Sequence, residues 1–212
     1  MTNQVKKQNG IIRILDGSVL EAYNESIKGY NEKARKSLGK FSKIDGELTG
    51  SSPLMLIQLA SCDALLEGVR LATRDDLEYA KSQDSDFLRG HYTDFGLALI
   101  TAGDPYAPND LLVKRLTDQL KHRNIKPGKG KLIPLGVLSL ADYEDSGYGV
   151  VIDLKEEAEK SIRDLNDFKW DYMRDEGLSC TSLGRYMSRG WGSGDGHLAD
   201  SIGYGRVVVV ND

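Results

Sequence analysis

The apolar positions of this chain alternate between short runs and helical stripes. Gly10 to Leu15 is an apolar run closed by Asp16 and Gly17, which predicts a strand ending in a turn. From Val19, the residues Leu20, Tyr23, Ile27, Tyr30, Ala34 and Leu38 recur at mainly helical spacing, predicting a helix that Gly29 and Gly39 weaken. The segment SKIDGELTGSS after it is turn chemistry. Ser52 then caps a helix with Pro53 at its first position, and Leu54, Met55, Leu56, Ile57, Leu59, Ala60, Leu65 and Leu66 make it apolar nearly all round. Such a helix must be buried, and Gly68 ends it. A few extended residues, VRLAT, lead into Thr73-Arg74-Asp75-Asp76, a capping-box pattern that opens a helix over about Arg74 to Lys81.

Further on, Phe95 to Thr101 reads as a buried strand. Pro108, Asn109 and Asp110 open a helix with Leu112, Val113, Leu116 and Leu120 as its stripe. Leu132 to Leu140 and Gly149 to Leu154 read as strands joined across ADYEDSGY. Lys155 to Leu165 reads as an amphipathic surface helix, with Phe168 and Trp170 in the core after it. Val207 to Val210 is a closing core strand.

Composition changes the picture at the tail. Residues 1 to 176 carry 16 Lys and 11 Glu, so at that density the last 36 residues should hold about five or six of the two together; they hold none, and no Gln. Between Gly184 and Gly205, 7 of 22 residues are Gly, interleaved with Ser, Asp, Arg, His and Tyr, which predicts a loop-rich surface rather than regular structure. Rigid amphipathic rings among small polar residues are the composition of adaptable binding surfaces.

Charge and cysteine content exclude several classes. A net charge of −4 with 28 basic residues spread along the chain gives no stripe to track a phosphate backbone, which argues against nucleic acid as a partner. No apolar run approaches the roughly 20 residues of a membrane helix. The start, MTNQVKKQNG, has no apolar segment behind its charges and does not read as a secretory signal, so a cytoplasmic or virion-associated location is the default expectation. Cys62 reads as core filling in an apolar helix and Cys180 as a lone thiol in the tail. With 3 His and no CxxC, zinc spacing is missing, and no metal or cofactor is expected. The KPGKGK loop lacks the full GxxxxGK[ST] spacing of a phosphate cradle.

The order of an apolar helix, then Gly68-Val69-Arg70-Leu71-Ala72-Thr73, then Leu77-Glu78-Tyr79-Ala80 resembles the second-helix signature of C-type lectin-like folds, especially their formylglycine-generating branch. Arg189-Gly190-Trp191 and Gly205-Arg206-Val207-Val208-Val209 stand where that fold has its final Arg-Gly-Trp-like segment and its glycine-led last strand. The likeness covers about residues 50 to 85 and 176 to 212. It implies an α+β domain over 1–212 with insertions: a mixed antiparallel sheet, flanking helices, and paired N- and C-terminal strands, here GIIRIL with GRVVVV.

Within that fold the chain is most similar to the variable proteins of diversity-generating retroelements, particularly the archaeal type. In that family adenines of a template repeat are copied with errors, so the diversified codons never encode Lys, Glu, Gln, Met or Trp. The tail fits that exclusion apart from Met187 and Trp191, which the resemblance makes fixed scaffold positions. It implies a variable region of about 180–204 that binds a protein or other surface ligand. Leu178, Leu183, Met187, Trp191, Leu198, Ala199 and the valines would anchor inward. Arg185, Tyr186, Ser188, Ser193, Asp195, His197, Asp200, Ile202 and Tyr204 would be the contact residues, with Gly190, Gly192, Gly194, Gly196 and Gly203 shaping concavities. So many glycines imply a shallow or poorly selective surface in this copy.

Two other classes share the scaffold. A formylglycine-generating or related oxidase needs a pair of reactive cysteines near the active-site loops. Cys180 with a helix-buried Cys62 does not supply it. His91 with Asp94, or His197 with Asp200, could form an acid and base pair, but neither is accompanied by a nucleophile motif. Calcium-dependent sugar binding lacks its set of converging oxygens around Asp195 and Asp200. A structural virion or surface protein predicts the same strands, and the sequence does not separate it from a display protein.

Overall fold

The computed structural model describes residues 4–8, 10–62, 68–104, 106–184 and 190–211. The chain is mixed α+β, with helices set against several largely antiparallel sheets. Strands β1 (Gln4–Lys7) and β2 (Gly10–Ile14) form a hairpin, and the terminal strand β14 (Val208–Asn211) lies antiparallel to β2, with Val210 opposite Ile12. The expected pairing of the first apolar run with the last is therefore present. On the other side of β14 lies β5 (Val69–Leu71). The valine run has no polar alternation because both of its faces are buried: Val207 and Val209 enter one core cluster, Val208 and Val210 the other.

The single helix expected from Val19 to Leu38 is two, α1 (Leu20–Ser26) and α2 (Glu32–Leu38). Tyr30 is extended (ψ 157°), its hydroxyl donates to Gln58 Oε1 at 2.8 Å, and Asn31 restarts the chain by accepting from Ala34 N. The turn-like segment after α2 is itself a hairpin, β3 (Ser42–Ile44) and β4 (Glu47–Thr49), because Asp45 (φ 52°) and Gly46 (φ 87°) supply the left-handed pair that a tight two-residue turn requires.

Helix α3 (Pro53–Leu59) is buried along its length, as its composition demands. It ends at Ala60, earlier than expected; Leu65 and Leu66 lie outside the described residues. Helix α4 (Arg74–Gln83) opens on the expected capping box of Thr73 and Asp76.

The larger sheet runs β10-β7-β6-β12-β13-β11. Its members are β6 (Tyr92–Leu99), β7 (Lys131–Pro134), β10 (Arg163–Asp164), β11 (Tyr172–Met173), β12 (Leu178–Gly184) and β13 (Trp191–Asp195). Helix α5 (Asp110–His122) packs against β9 (Val150–Leu154), which pairs with β8 (Leu138–Asp142). The strand expected over Leu132–Leu140 is thus broken after Pro134, and its halves enter different sheets.

The helix expected over Lys155–Leu165 does not form. Glu157 takes a left-handed conformation (φ 59°), and only a single 3₁₀ turn follows before β10. Lys155 Nζ instead donates to the carbonyls of Ala60 and Gly136, each at 3.1 Å, and burial lowers its pKa. Phe168 and Trp170 are half-buried at the edge of the smaller core cluster rather than inside it. Among the described residues, no helix is long and apolar enough to cross a membrane.

Candidate functional site

The glycine-rich tail is not mainly loop. Strands β12 and β13 lie within the larger sheet, and bulges at Phe95 and Gly194 set which side chains face outward. One face of β12 carries Ser179, Thr181 and Leu183, all buried. On the other, Leu178 is buried in the larger core, while Cys180, Ser182 and Gly184 emerge half-buried beyond its edge. Gly192 pairs with Ser182 on β13, and Asp94 with Ser182 on β6, so they share this emerging face.

The result is a trough with two recesses that meet at Cys180 and Ser182. One, of about 480 Å³, is bounded by Pro53, Tyr92, Asp94, His197, Asp200 and Ile202. The other, of about 460 Å³, is bounded by Asp171, Tyr172, Gly184, Trp191, Gly192 and Gly194. Tyr106, Tyr172, Ile202 and Tyr204 expose large apolar surface (42, 52, 59 and 47%); Tyr172 and Ile202 stand on the walls of the recesses.

Side chains, most of them from residues that precede the tail, hold its backbone still. Asn109 is fully buried, and its Nδ2 donates to Leu178 O (2.9 Å) and Gly196 O (2.7 Å). Tyr148 OH donates to Asn109 Oδ1 (2.8 Å) and accepts from Leu198 N (3.2 Å). Leu54 N, in the first turn of α3, donates to Leu198 O at 3.2 Å. Tyr92 OH donates to Ser51 O (2.8 Å) and accepts from Ile202 N (3.1 Å). Burial first, and then the neighbouring Asp94 carboxylate, push the Tyr92 pKa up to about 12, so the hydroxyl keeps the proton it donates. Arg206 pairs with Glu47 (3.1 Å) and donates to the carbonyls of Gly203 (3.1 Å) and Gly205 (2.9 Å).

A guanidinium fixes the root of β13. Arg74 is 3% exposed, and its Cζ lies 4.7, 4.4 and 4.3 Å from the ring centroids of Phe168, Trp170 and Trp191. Its Nε reaches Glu78 Oε1 at 2.9 Å and an Nη donates to Lys169 O. A lysine there keeps the charge but loses the plane that stacks on three rings. Arg74→Lys is expected to cost about 1–2 kcal/mol, read as a lower urea midpoint with an unchanged slope.

The residues expected to make contacts are placed unevenly. His197 is half-buried, with Nδ1 3.0 Å from Asp200 Oδ1; Asp200, Ile202, Gly203 and Tyr204 are exposed, and Gly192 and Gly194 half-exposed. Ser193 is a correction: it is fully buried on the Thr181 side of the sheet, its hydroxyl bonded to that of Ser179, so it faces no ligand. Gly190 and Gly196 are also buried rather than part of the surface. The backbone of Asp195 closes β13 opposite Cys180. Arg185, Tyr186 and Ser188, together with Met187, lie outside the described residues.

Asp94, considered from sequence as a partner for His91, is engaged by Ser51 and Cys180: it accepts from Ser51 Oγ and Cys180 Sγ, both at 2.6 Å. The His91 pKa is lowered by burial and then by Arg206, with Glu47 opposing. Cys62 and Cys180 are not joined in a disulfide; Cys62 packs against the larger core, and Cys180 faces the trough.

Sequence reading missed Ser51, Tyr92, Asn109, Tyr148, Asp171 and Tyr172, and took Asp94 as a partner for His91. Asn109 was legible only as a helix opener, yet it makes no side-chain cap and spends its amide on distant carbonyls. Comparison of the chain with protein-family models, with curated proteins and with solved structures finds no match.

Proposed function

We propose that this chain is a ligand-binding display protein, a single domain of C-type lectin-like type whose carboxyl-terminal surface is diversified by a retroelement. One observation carries the reading, a division of labour in the trough. Its floor and one rim come from the tail that lacks Lys, Glu and Gln, whereas most of the groups that pin the tail's backbone precede it in sequence, Asn109, Tyr148, Tyr92 and Asp171 among them, with Arg206 added from the tail itself. A framework bonded in this way allows side chains to change without the free-energy cost of ordering a loop at each encounter. The occupant is a protein or other surface ligand rather than a nucleic acid, because the chain's net charge is −4.

The DNA around the gene tests the retroelement directly. It is expected to hold a reverse transcriptase gene and a near-copy of the codons for residues 180–206 that differs at template adenines; a neighbourhood with neither removes that part of the proposal. Binding is tested with a display library varied at Gly192, His197, Asp200, Ile202, Gly203 and Tyr204. Folded members that bind unrelated purified proteins are expected, and a library whose members mostly unfold overturns the fixed framework.

A further inference from the structure

The glycines of the tail are not equivalent, and the difference lies in what a side chain on each would meet. A Cβ on Gly184 or on Gly203 would meet nothing within 4 Å, and one on Gly192 would have its nearest neighbours in Tyr172 at 3.9 and 4.0 Å. On Gly205 it would strike backbone, at 2.6 Å from Ser51 N and 2.9 Å from Gly50 C. The remaining three all meet side chains of one short segment, and Gly196 meets Tyr106 as well. A Cβ on Gly190 would lie 2.6 Å from Asp171 Oδ2, one on Gly196 would lie 2.6 Å from Glu176 Oε2 and 2.8 Å from Tyr106 Cβ, and one on Gly194 would overlap Tyr172 Cε1.

Residues 171–176 meet these positions with side chains rather than backbone. Their backbone is tied to β13: Asp171 N donates to Trp191 O and Arg174 N to Ser193 O, each at 2.9 Å, around a short parallel pairing of β11 with β13. The side chains are held to different degrees. Asp171 Oδ2 also accepts from Trp191 N at 2.7 Å, so moving it breaks a hydrogen bond to β13. Tyr172 is 52% exposed, and its hydroxyl accepts from Arg174 Nε, a side chain that is itself 55% exposed. A ring whose hydroxyl is held by an exposed partner can change rotamer at small cost.

We propose that residues 171–176 are an adjustable wall of the trough, and that Tyr172 is its specificity-determining residue, setting the depth of the recess according to what occupies position 194. With glycine at 194 the ring lies over β13 and bounds the recess that reaches Cys180. A larger residue at 194 evicts the ring, and the recess takes a new shape while the sheet beneath stays in register. This rests on the binding function proposed above, but its test needs no ligand, so the two can fail separately.

Cys180 reports the state of the wall. In a Cys62→Ser background it is the only cysteine of the chain, and its alkylation rate with iodoacetamide measures access to the trough. Tyr172→Ala is expected to raise that rate several-fold, Gly194→Ala to raise it in the same direction, and the double variant to react no faster than Tyr172→Ala alone. Unchanged rates in both single variants, or effects that multiply in the double variant, overturn the proposal. If Gly194→Ala does not fold, refolding on addition of Tyr172→Ala supports the wall, and a double variant that stays unfolded sinks it. Gly205→Ala, which meets backbone, should gain nothing from Tyr172→Ala; rescue there would show that the effect is not local to the wall.

Discussion

Asn109→Ala is expected to lower the unfolding free energy by about 3–4 kcal/mol, because it removes three buried hydrogen bonds at once, each worth about 1 kcal/mol, and a buried carbonyl left unsatisfied costs roughly 1–3 kcal/mol. The carbonyls of Leu178 and Gly196 lose their amide donor and Tyr148 OH loses the nearer of its acceptors, keeping its longer contact to Gly196 O at 3.3 Å, all in a buried setting. Tyr148→Phe removes only the hydroxyl and should cost less, about 1–2 kcal/mol. Because the two side chains share one network, the double variant should cost less than the sum of the singles. Urea unfolding of the four proteins measures this. Asn109→Ala within about 1 kcal/mol of the parent, the range of an ordinary hydrogen bond, would show that the network does not hold the tail.

That result bears on function because the network joins three distant stretches of chain. Asn109 stands at the start of α5 and Tyr148 before β9, while Gly196 and Leu198 belong to the trough rim. A surface whose backbone is bonded to residues outside it can tolerate exchange at Asp200, Ile202 or Tyr204, which are exposed. The same exchange at Ser193 would put new volume into the core, where overpacking costs about 1–3 kcal/mol.

What could be read from sequence was local. The Thr73 and Asp76 capping box depends on residues three apart, and the valine run needs only the inference that an unbroken apolar strand is covered on both sides. Lys155–Leu165 misled because Ala158, Ile162 and Leu165 imitate a helical stripe. Their burial comes from an irregular segment in which Glu157 is left-handed and Lys155 binds distant carbonyls. The tail misled in the opposite sense. Gly and Ser are poor strand formers in isolation, yet β12 is paired on both sides, and cross-strand neighbours outweigh intrinsic preference there.

The trough was half legible. The depletion of Lys and Glu marked the right segment, and Leu178, Leu183, Trp191 and Leu198 are buried where an inward anchor has to be. Its other walls were invisible, because Ser51 meets Ser201 and Tyr92 meets Ile202 across more than a hundred residues of chain. No local spacing encodes such contacts. They follow from the pairing of β6 with β12, and the Phe95 bulge then turns Asp94 toward the trough.

The second large effect is expected at Asp76, far from the trough but central to the smaller core. Its side chain is 2% exposed and takes Lys7 Nζ (2.8 Å), Arg70 Nη1 (2.6 Å) and the backbone of Thr73 (2.9 Å), tying β1, β5 and the start of α4 to one carboxylate. Burial alone would raise its pKa; the hydrogen bonds from Arg70, Lys7 and Thr73 outweigh that and hold the carboxyl below the usual carboxylate range. Asp76→Ala removes one partner of a buried ion cluster, a change worth about 3–5 kcal/mol; the lower end is expected here because Lys7 and Arg70 can turn toward water. The sign with pH follows from the depressed value. The folded state binds its proton later than the unfolded chain, so this contribution is complete above the ordinary value of 3.8 and is lost as pH falls from there toward the folded value. Urea midpoints from neutral pH down to about 3, a range that crosses the ordinary aspartate pKa, should therefore fall more steeply for the parent than for Asp76→Asn at the acid end. Parallel acid limbs in the two proteins would show that the carboxylate of Asp76 is not what the cations of β1 and β5 stabilise.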